Sequence, residues 1–171
     1  MVRAETVLES WKTVRQDTAQ AVEDFPEEEL DFSPAEGLMT FRAITTHIIE
    51  AGNSLTGVLL DGMTDLSGGK FAQVRGKYAP DLSEKSGKAE LIEKLRSMIE
   101  ERCSRLAAQP PEFFSEMITR FDGQQMTRLE MIQFIKEHEL THRSQLFMYL
   151  RLKGIVPVTT RRRLAQTAAK P

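Results

Sequence analysis

Cysteine and histidine are scarce in this chain of 171 residues, which has one cysteine and three histidines. A single cysteine, Cys103, excludes an internal disulfide and a zinc site built from several cysteines. No apolar run approaches the about 20 residues that a membrane-spanning helix needs. Neither sign of charge is in clear excess, because 23 basic and 25 acidic residues give a formal net charge of −2. We therefore expect neither a nucleic-acid partner nor a membrane partner.

The length suits one domain, and the composition is that of an ordinary globular protein. The first residues, Met1 to Glu5, contain no apolar signal core, so we expect a cytoplasmic protein. The last residues, 158–171, carry no core pattern and are expected to form a flexible tail. The run Arg161-Arg162-Arg163 in that tail is too short to indicate binding to nucleic acid or to a membrane.

Apolar residues recur with helical spacing in four segments, and no segment has a strong strand pattern. The predicted helices run from Glu5 to Asp24, from Phe41 (with Thr40 as N-cap) to the Asp61-Gly62 turn, from about Ser86 to Ala108, and from the capping box Thr127-Arg128-Leu129-Glu130 to Lys153. An Asp122-Gly123 turn could join two very short strands. Residues 61–85 form a polar connection long enough to carry the chain from one end of a bundle to the other. The sequence thus predicts an all-α four-helix bundle over residues 1–157, with a long crossover between the second and third helices.

The three histidines lie on interior faces of two predicted helices. His138 and His142 are four residues apart on the fourth helix, so they differ by about 40° in direction and about 6 Å in height and can ligate one ion. His47 lies between Ile44 and Ile48 on the second helix and also faces the interior. Three neutral imidazoles suit zinc, nickel, copper, Fe(II) or cobalt, and the sequence does not choose among these metals.

The segment His138-Glu139-Leu140-Thr141-His142 matches the H-E-x-x-H motif of zinc metalloproteases, in which the glutamate is the general base. Those enzymes take a third metal ligand from further along the chain. This chain has no aspartate, glutamate or histidine after His142. We therefore do not expect a protease, and Glu139 remains a candidate catalytic base whose alternative role is that of a solvent-facing helix carboxylate.

Other polar residues on the same helix faces are candidates to support the site. Gln145, Tyr149 and Glu50 could orient the imidazole N–H groups or hold a ligand. Gln145 and Tyr149 could equally satisfy each other or backbone groups. Ser54, a small residue on the face of His47, could leave room for a substrate.

The C-terminal third of the chain resembles the signature of the DinB/YfiT-like superfamily. The residues that carry the resemblance are His138-Glu139-x-x-His142-Arg143-Ser144-Gln145-Leu146, then Tyr149-Leu150-Arg151 and Gly154-Ile155-x-Pro157. His47 fits the first metal ligand of that family, and the resemblance spans about residues 5–157. Ser144 stands where many relatives have glycine, a mild departure that leaves the metal motif intact.

The resemblance implies a four-helix bundle with up-down-down-up topology, which is often dimeric. It implies one divalent ion, most commonly nickel or zinc, held by His47, His138 and His142. Characterised members are thiol S-transferases that use low-molecular-weight thiols such as bacillithiol, and mycothiol-dependent maleylpyruvate isomerases. Many others have only a predicted hydrolase activity or none known.

The histidine cluster and the resemblance together favour a metal-dependent transferase that conjugates a low-molecular-weight thiol to a small electrophile and acts on a small-molecule substrate. That the protein acts as a homodimer is implied by the resemblance alone. Two alternatives stay open. One is a metal-dependent hydrolase, and the other is a metal-binding stress or sensor protein without catalysis.

Overall fold

The computed structural model describes residues 3–169, and within that range the chain forms seven α-helices and one short hairpin. The helices are α1 (Ala4–Asp24), α2 (Phe41–Leu60), α3 (Lys70–Val74), α4 (Lys88–Ala107), α5 (Pro111–Ser115), α6 (Arg128–Leu152) and α7 (Val158–Ala168). The strands β1 (Met117–Thr119) and β2 (Gln125–Thr127) pair antiparallel. None of the helices within residues 3–169 is long and apolar enough to cross a membrane.

Local signals in the sequence mark the ends of the long helices. The Thr40 side chain accepts a hydrogen bond from the Ala43 amide at the start of α2. The capping box at the start of α6 is complete, because Thr127 and Glu130 bond to each other's backbone N–H groups. Gly154 follows α6 with a φ of +73°, a conformation that favours glycine. The predicted boundaries of the four long helices therefore agree with the structure to within about two residues.

Contacts between α1 and its neighbours define two of the helix directions. Along α1 and α6 the contacts advance together, from Arg15 with Glu139 to Asp17 with Arg143. These two helices are therefore parallel. Along α1 and α4 the order is reversed, since Leu8 faces Cys103 and Glu23 pairs with Arg96. Helices α1 and α4 are therefore antiparallel.

Contacts of α2 define the remaining directions. His47 lies against His138 and Phe41 lies against Tyr149, so α2 and α6 are antiparallel. The side chain of Arg42 bonds to the Ser86 carbonyl and that of Asn53 to Arg102, so α2 and α4 are parallel. The four long helices thus form a bundle with up-down-down-up topology, as predicted. Because α2 and α4 point the same way, residues 61–87 must return along the length of the bundle.

Two apolar clusters fill the bundle, and a polar layer separates them. The first is built around Trp11, Leu55, Leu106, Met131 and Ile135. The second is built around Phe25, Phe41, Ile48, Leu95 and Leu150. Along α1 and α6, the buried polar residues Arg15, Thr18 and Glu139 fall between the two clusters. His138 and His142 belong to the same interval of α6.

The segment after Pro157 differs from the flexible tail expected from its sequence, because residues 158–168 form α7. Arg162 pairs with the buried Asp17 at 2.8 Å and Arg161 pairs with Asp24 at 2.7 Å, both on α1. Val158 packs against the second apolar cluster. These contacts join residues more than 130 positions apart, so the sequence alone could not reveal them. The last two residues of the predicted tail lie outside the described range.

Candidate metal centre

The three histidines of the chain converge between α2 and α6. The Nε2 atom of His138 lies 3.1 Å from Nε2 of His47 and 3.2 Å from Nε2 of His142. One potential ligand atom from each of the three lies within 4.8 Å of the other two. All three side chains are partly buried. The antiparallel packing of α2 on α6 thus brings together the residues that the sequence singled out.

The donor set fits a divalent transition metal. Two imidazoles bound tetrahedrally at about 2.0–2.1 Å would have nitrogens about 3.3 Å apart, close to the observed separations. At this distance two neutral imidazoles can share one proton in an N–H···N hydrogen bond, or both can direct their lone pairs to a cation between them. Nitrogen ligands of this kind suit zinc, nickel, copper, Fe(II) or cobalt, whereas calcium and magnesium prefer oxygen.

The surroundings of His138 and His47 favour the neutral, ligating form of these two residues. Burial, followed by the positive charges that His142 and His47 would carry, lowers the pKa of His138 to about 4. Burial, and then the charge of His142, also lowers the pKa of His47. A neutral imidazole has a free lone pair, so these two residues need not lose a proton to bind a metal near neutral pH.

Gln145 orients one of the three imidazoles. Its Oε1 atom lies 2.7 Å from Nδ1 of His142. Because an amide oxygen can only accept, the proton of His142 is placed on Nδ1 and the lone pair on Nε2, toward the other histidines. The spacing on the helix thus agrees with the observed contact of Gln145 with His142, and a role of Gln145 in supporting a metal ligand stays a prediction.

Glu139 lies outside the site, contrary to its proposed role as a catalytic base. Its side chain is 2% exposed and points to α1. Its carboxylate accepts hydrogen bonds from Trp11 Nε1 at 2.7 Å, Arg15 Nε and Nη2 at 2.8 Å each, and Thr18 Oγ1 at 3.0 Å. Both oxygens are therefore occupied by donors from α1. The alternative of a solvent-facing carboxylate is also wrong, because position 139 lies about 100° around the helix from His138, which is the direction of α1.

Tyr149 also lies away from the histidines. Its hydroxyl donates to the Met39 carbonyl oxygen at 2.8 Å, and its ring packs near Phe32 and Phe41. Seven residues of helix, about 10 Å, separate it from His142. The alternative in which Tyr149 satisfies a backbone group is therefore the observed one, and Tyr149 fixes the entry to α2 instead of supporting the site.

A cavity of about 480 Å³ opens beside the histidine cluster. Its lining residues are His47, Glu50, Ala51, Ser54, Leu55, Phe71, Arg75, Gly76, Ala79, Phe121, Phe134 and His138. Two of the predicted residues, Glu50 and Ser54, therefore line the space next to His47. The volume suits a small organic molecule.

Sequence reasoning missed the far wall of this cavity. That wall is formed by the crossover segment, the hairpin and α6, which contribute Phe71, Arg75, Phe121 and Phe134. The first three lie outside the four predicted helices, and nothing in their spacing connects them to His47. Only the path of the crossover across the bundle places them there.

The crossover is held against α2 by a close approach at Gly57. A Cβ atom at this position would lie 2.4 Å from Cγ of Tyr78, so the Tyr78 ring needs glycine opposite it. Asn53 donates to the Tyr78 carbonyl oxygen, and Arg102 Nε in turn donates to Asn53 Oδ1 at 2.7 Å. These contacts fix the 3-10 turn Arg75–Tyr78, which carries part of the cavity wall.

The chain is thus a four-helix bundle with a cluster of three histidines that could hold a metal ion. The model of the DinB family matches residues 1–170, and the chain belongs to that family. No curated protein matches the chain.

Solved structures of low sequence identity share the fold. A DinB-like protein of Bacillus subtilis, YjoA, is 21% identical, with a TM-score of 0.67 over 87% of this chain and 92% of that one. YfiT of Bacillus subtilis is 15% identical, with a TM-score of 0.68 over 91% of both chains, and is described as "a probable metal-dependent hydrolase with an unusual four-helix bundle topology". A variant of a mycothiol-dependent maleylpyruvate isomerase is 10% identical, with a TM-score of 0.64 over 85% of this chain and 61% of that one.

Proposed function

We propose that this protein is a divalent-metal-dependent enzyme that conjugates a low-molecular-weight thiol to a small electrophile. His47, His138 and His142 would hold one ion, with nickel or zinc the first choices. The observation that carries the proposal is that the histidine cluster opens directly on a cavity large enough for a small organic substrate. A cluster that served structure alone would have no need of such a cavity.

Each residue of the site would have its own role in the proposed reaction. A bound ion would stabilise the anionic form of a thiol or a water molecule. Gln145 would hold His142 with its lone pair inward, and the aromatic side chains of the cavity would pack against the apolar part of a substrate. Glu50 is the carboxylate that lines the cavity, so it is placed to accept the proton of the thiol. The sulfur would then form a bond to the electrophilic carbon of the second substrate. In a substitution, the leaving group departs with the electron pair of its bond to that carbon; in an addition to a double bond, the displaced π electrons take up the proton that Glu50 accepted.

A hydrolase is the second candidate, and the description of YfiT favours it. Hydrolysis needs a base to activate water, and the glutamate of the H-E-x-x-H segment does not serve, because α1 occupies both of its oxygens. A metal-bound thiol needs less help, since its pKa is already far below that of water. The transferase is therefore our first choice, and the mycothiol dependence of a structural neighbour agrees with it.

Metal analysis of the purified protein tests the basis of the proposal. After expression in metal-replete medium, we expect about one divalent ion per chain in the wild type and a loss of most of it in His47→Ala. Glu137→Ala, an exposed residue of α6 next to His138, is the matched control and should keep its metal. A wild-type protein without stoichiometric metal would refute both the transferase and the hydrolase.

Activity assays then separate the two candidates. We expect conjugation of bacillithiol, mycothiol, glutathione or coenzyme A to a model electrophile, lost with a chelator and restored by the metal found in the protein. Absence of conjugation with all four thiols, together with metal-dependent hydrolysis of esters or amides, would select the hydrolase. Metal binding without either activity would leave a non-catalytic protein.

A further inference from the structure

Four arginines, Arg3, Arg75, Arg151 and Arg163, have no carboxylate within ion-pair distance among residues 3–169, and of these four only Arg75 lines the cavity beside the histidines. Ten arginines of the chain lie within ion-pair distance of a carboxylate. Among residues 3–169, no carboxylate lies that close to the guanidinium of Arg75, although Arg75 lines the cavity beside the histidines. Its backbone is held in place, since its carbonyl oxygen accepts a hydrogen bond from Ser54 Oγ at 3.2 Å. An unpaired cation on a fixed segment of a cavity wall is suited to binding an anion.

The cavity extends along the axis of α2, from His47 toward Ser54. Ser54, which holds the Arg75 backbone, lies seven residues after His47, about 10 Å along the helix axis. Glu50 lies between them, about 4.5 Å along the axis from His47. A molecule in the cavity would therefore meet the imidazoles at one end, Glu50 near the middle and, at the other end, the backbone segment that carries Arg75.

Apart from Glu50, the space between these ends is lined mainly by aromatic side chains. Phe71, Phe121 and Phe134 line it, and the rings of Phe121 and Phe134 lie 6.1 Å apart. Arg120 packs over Phe134 at 4.9 Å, but its guanidinium pairs with Asp122, so it offers no free charge to a ligand. Arg75 is therefore the cation of the lining that is available to a ligand.

We propose that the cavity binds a small molecule with an apolar body and a terminal carboxylate, and that Arg75 pairs with that carboxylate. This specificity deepens the proposed function, because the opposite end of the same molecule would carry the thiol that meets the histidine cluster. The carboxylate preference itself depends only on Arg75 and the aromatic wall. It can therefore be measured whether or not the metal chemistry is as proposed.

Binding of a matched pair of probes tests this assignment. The probes are 6-mercaptohexanoate and its neutral amide, 6-mercaptohexanamide, titrated calorimetrically at pH 7.5 and low ionic strength into metal-loaded and metal-free protein. We expect the wild type to bind the carboxylate about fivefold more tightly than the amide, a modest ratio because Arg75 is exposed to solvent. Added salt should reduce this ratio, since salt screens exposed charges.

Three variants assign the preference to one residue. Arg75→Gln should abolish it, and Arg75→Lys, which keeps the charge, should retain part of it. Lys77→Gln removes the same charge two residues away, from a side chain that pairs with Asp61 and does not line the cavity, so it should leave the preference unchanged. Thermal unfolding of each variant checks that the fold is intact.

Two results would overturn the assignment. They are equal binding of acid and amide by the wild type, and a preference that survives in Arg75→Gln. Failure of the thiol chemistry would appear differently, as equal binding of 6-mercaptohexanoate and its S-methyl ether by the metal-loaded protein. That result would count against the proposed function while leaving the role of Arg75 to be judged by the carboxylate and amide pair.

Discussion

Replacing Glu139 by glutamine is expected to destabilise the fold while leaving the metal ligands in place. The carboxylate accepts four hydrogen bonds within 3.0 Å, two of them from Arg15. Glutamine keeps the shape but has one oxygen fewer, and its NH₂ group would face donors from α1. The Arg15 side chain, which is 3% exposed, would lose its counter-ion.

The magnitude follows from this burial. Removing one partner of a buried ion pair costs about 3–5 kcal/mol of unfolding free energy, because the other charge stays buried without compensation. For a chain of this length each 1 kcal/mol corresponds to about 2–4 °C, so the melting temperature should fall by about 10 °C. Replacing both partners, as Arg15→Met with Glu139→Leu, should recover most of the loss, since no charge is then stranded.

Urea unfolding followed by tryptophan fluorescence measures this effect directly. Trp11 is the single tryptophan of the chain, and its Nε1 donates to Glu139. Glu137→Gln, an exposed carboxylate on the same helix, is the control and should change stability by less than about 0.5 kcal/mol. Metal content should be equal in the wild type and both variants.

The opposite pattern would refute this account of Glu139. If Glu139→Gln unfolded at the same denaturant concentration as the wild type but lost metal or metal-dependent activity, the glutamate would act at the metal centre. The H-E-x-x-H segment would then work as it does in the metalloproteases.

Two further predictions concern Gly57 and Cys103. Gly57→Ala should lower the free energy of unfolding by about 1–3 kcal/mol in urea unfolding, because the new methyl would overlap the Tyr78 ring. Gly76→Ala is the control and should be close to neutral, because a Cβ at this position meets open space. Equal stability of the two variants would contradict the close approach of Tyr78 to Gly57. Burial raises the pKa of the Cys103 thiol to about 12, so the folded protein holds this proton above pH 9 while the unfolded chain releases it. The Cys103 thiol should therefore lower the free energy of unfolding by about 1.4 kcal/mol for each pH unit above about 9. Cys103→Ala should remove this pH dependence. An identical slope in both proteins would show that the thiol does not contribute.

Much of the fold could be predicted because its signals are local. The capping box of Thr127 and Glu130, the N-cap at Thr40 and the glycine at position 154 each depend on residues a few positions apart. The exception is the C-terminal segment 158–168, whose helix the sequence did not predict. Its helix α7 is held by Arg162 on Asp17, a pair whose members belong to opposite ends of the chain.

In the candidate site, too, the sequence predicts some positions and not others. The spacing of His138 and His142, and the interior position of His47, were enough to predict a shared ion-binding cluster. The contact between Gln145 and His142 could also be predicted, because Gln145 lies about one helical turn after His142. For Tyr149 the sequence left two roles open, and the observed one is the bond to a backbone group. The partners of Glu139 could not be predicted, because helical spacing gives the direction of a side chain but not the identity of the helix that lies there.

By itself, the sequence determined the long helices, their caps and the inward histidines, because each follows from the period of one helix and from hydrogen bonds within one or two turns. Only the tertiary structure decided that Glu139 binds Trp11 and Arg15, from which it is separated by 128 and 124 positions. It also decided that Arg75 meets the cavity of His47, because the crossover returns along the bundle. Such contacts depend on which helices become neighbours, and this is settled by the packing of the whole chain.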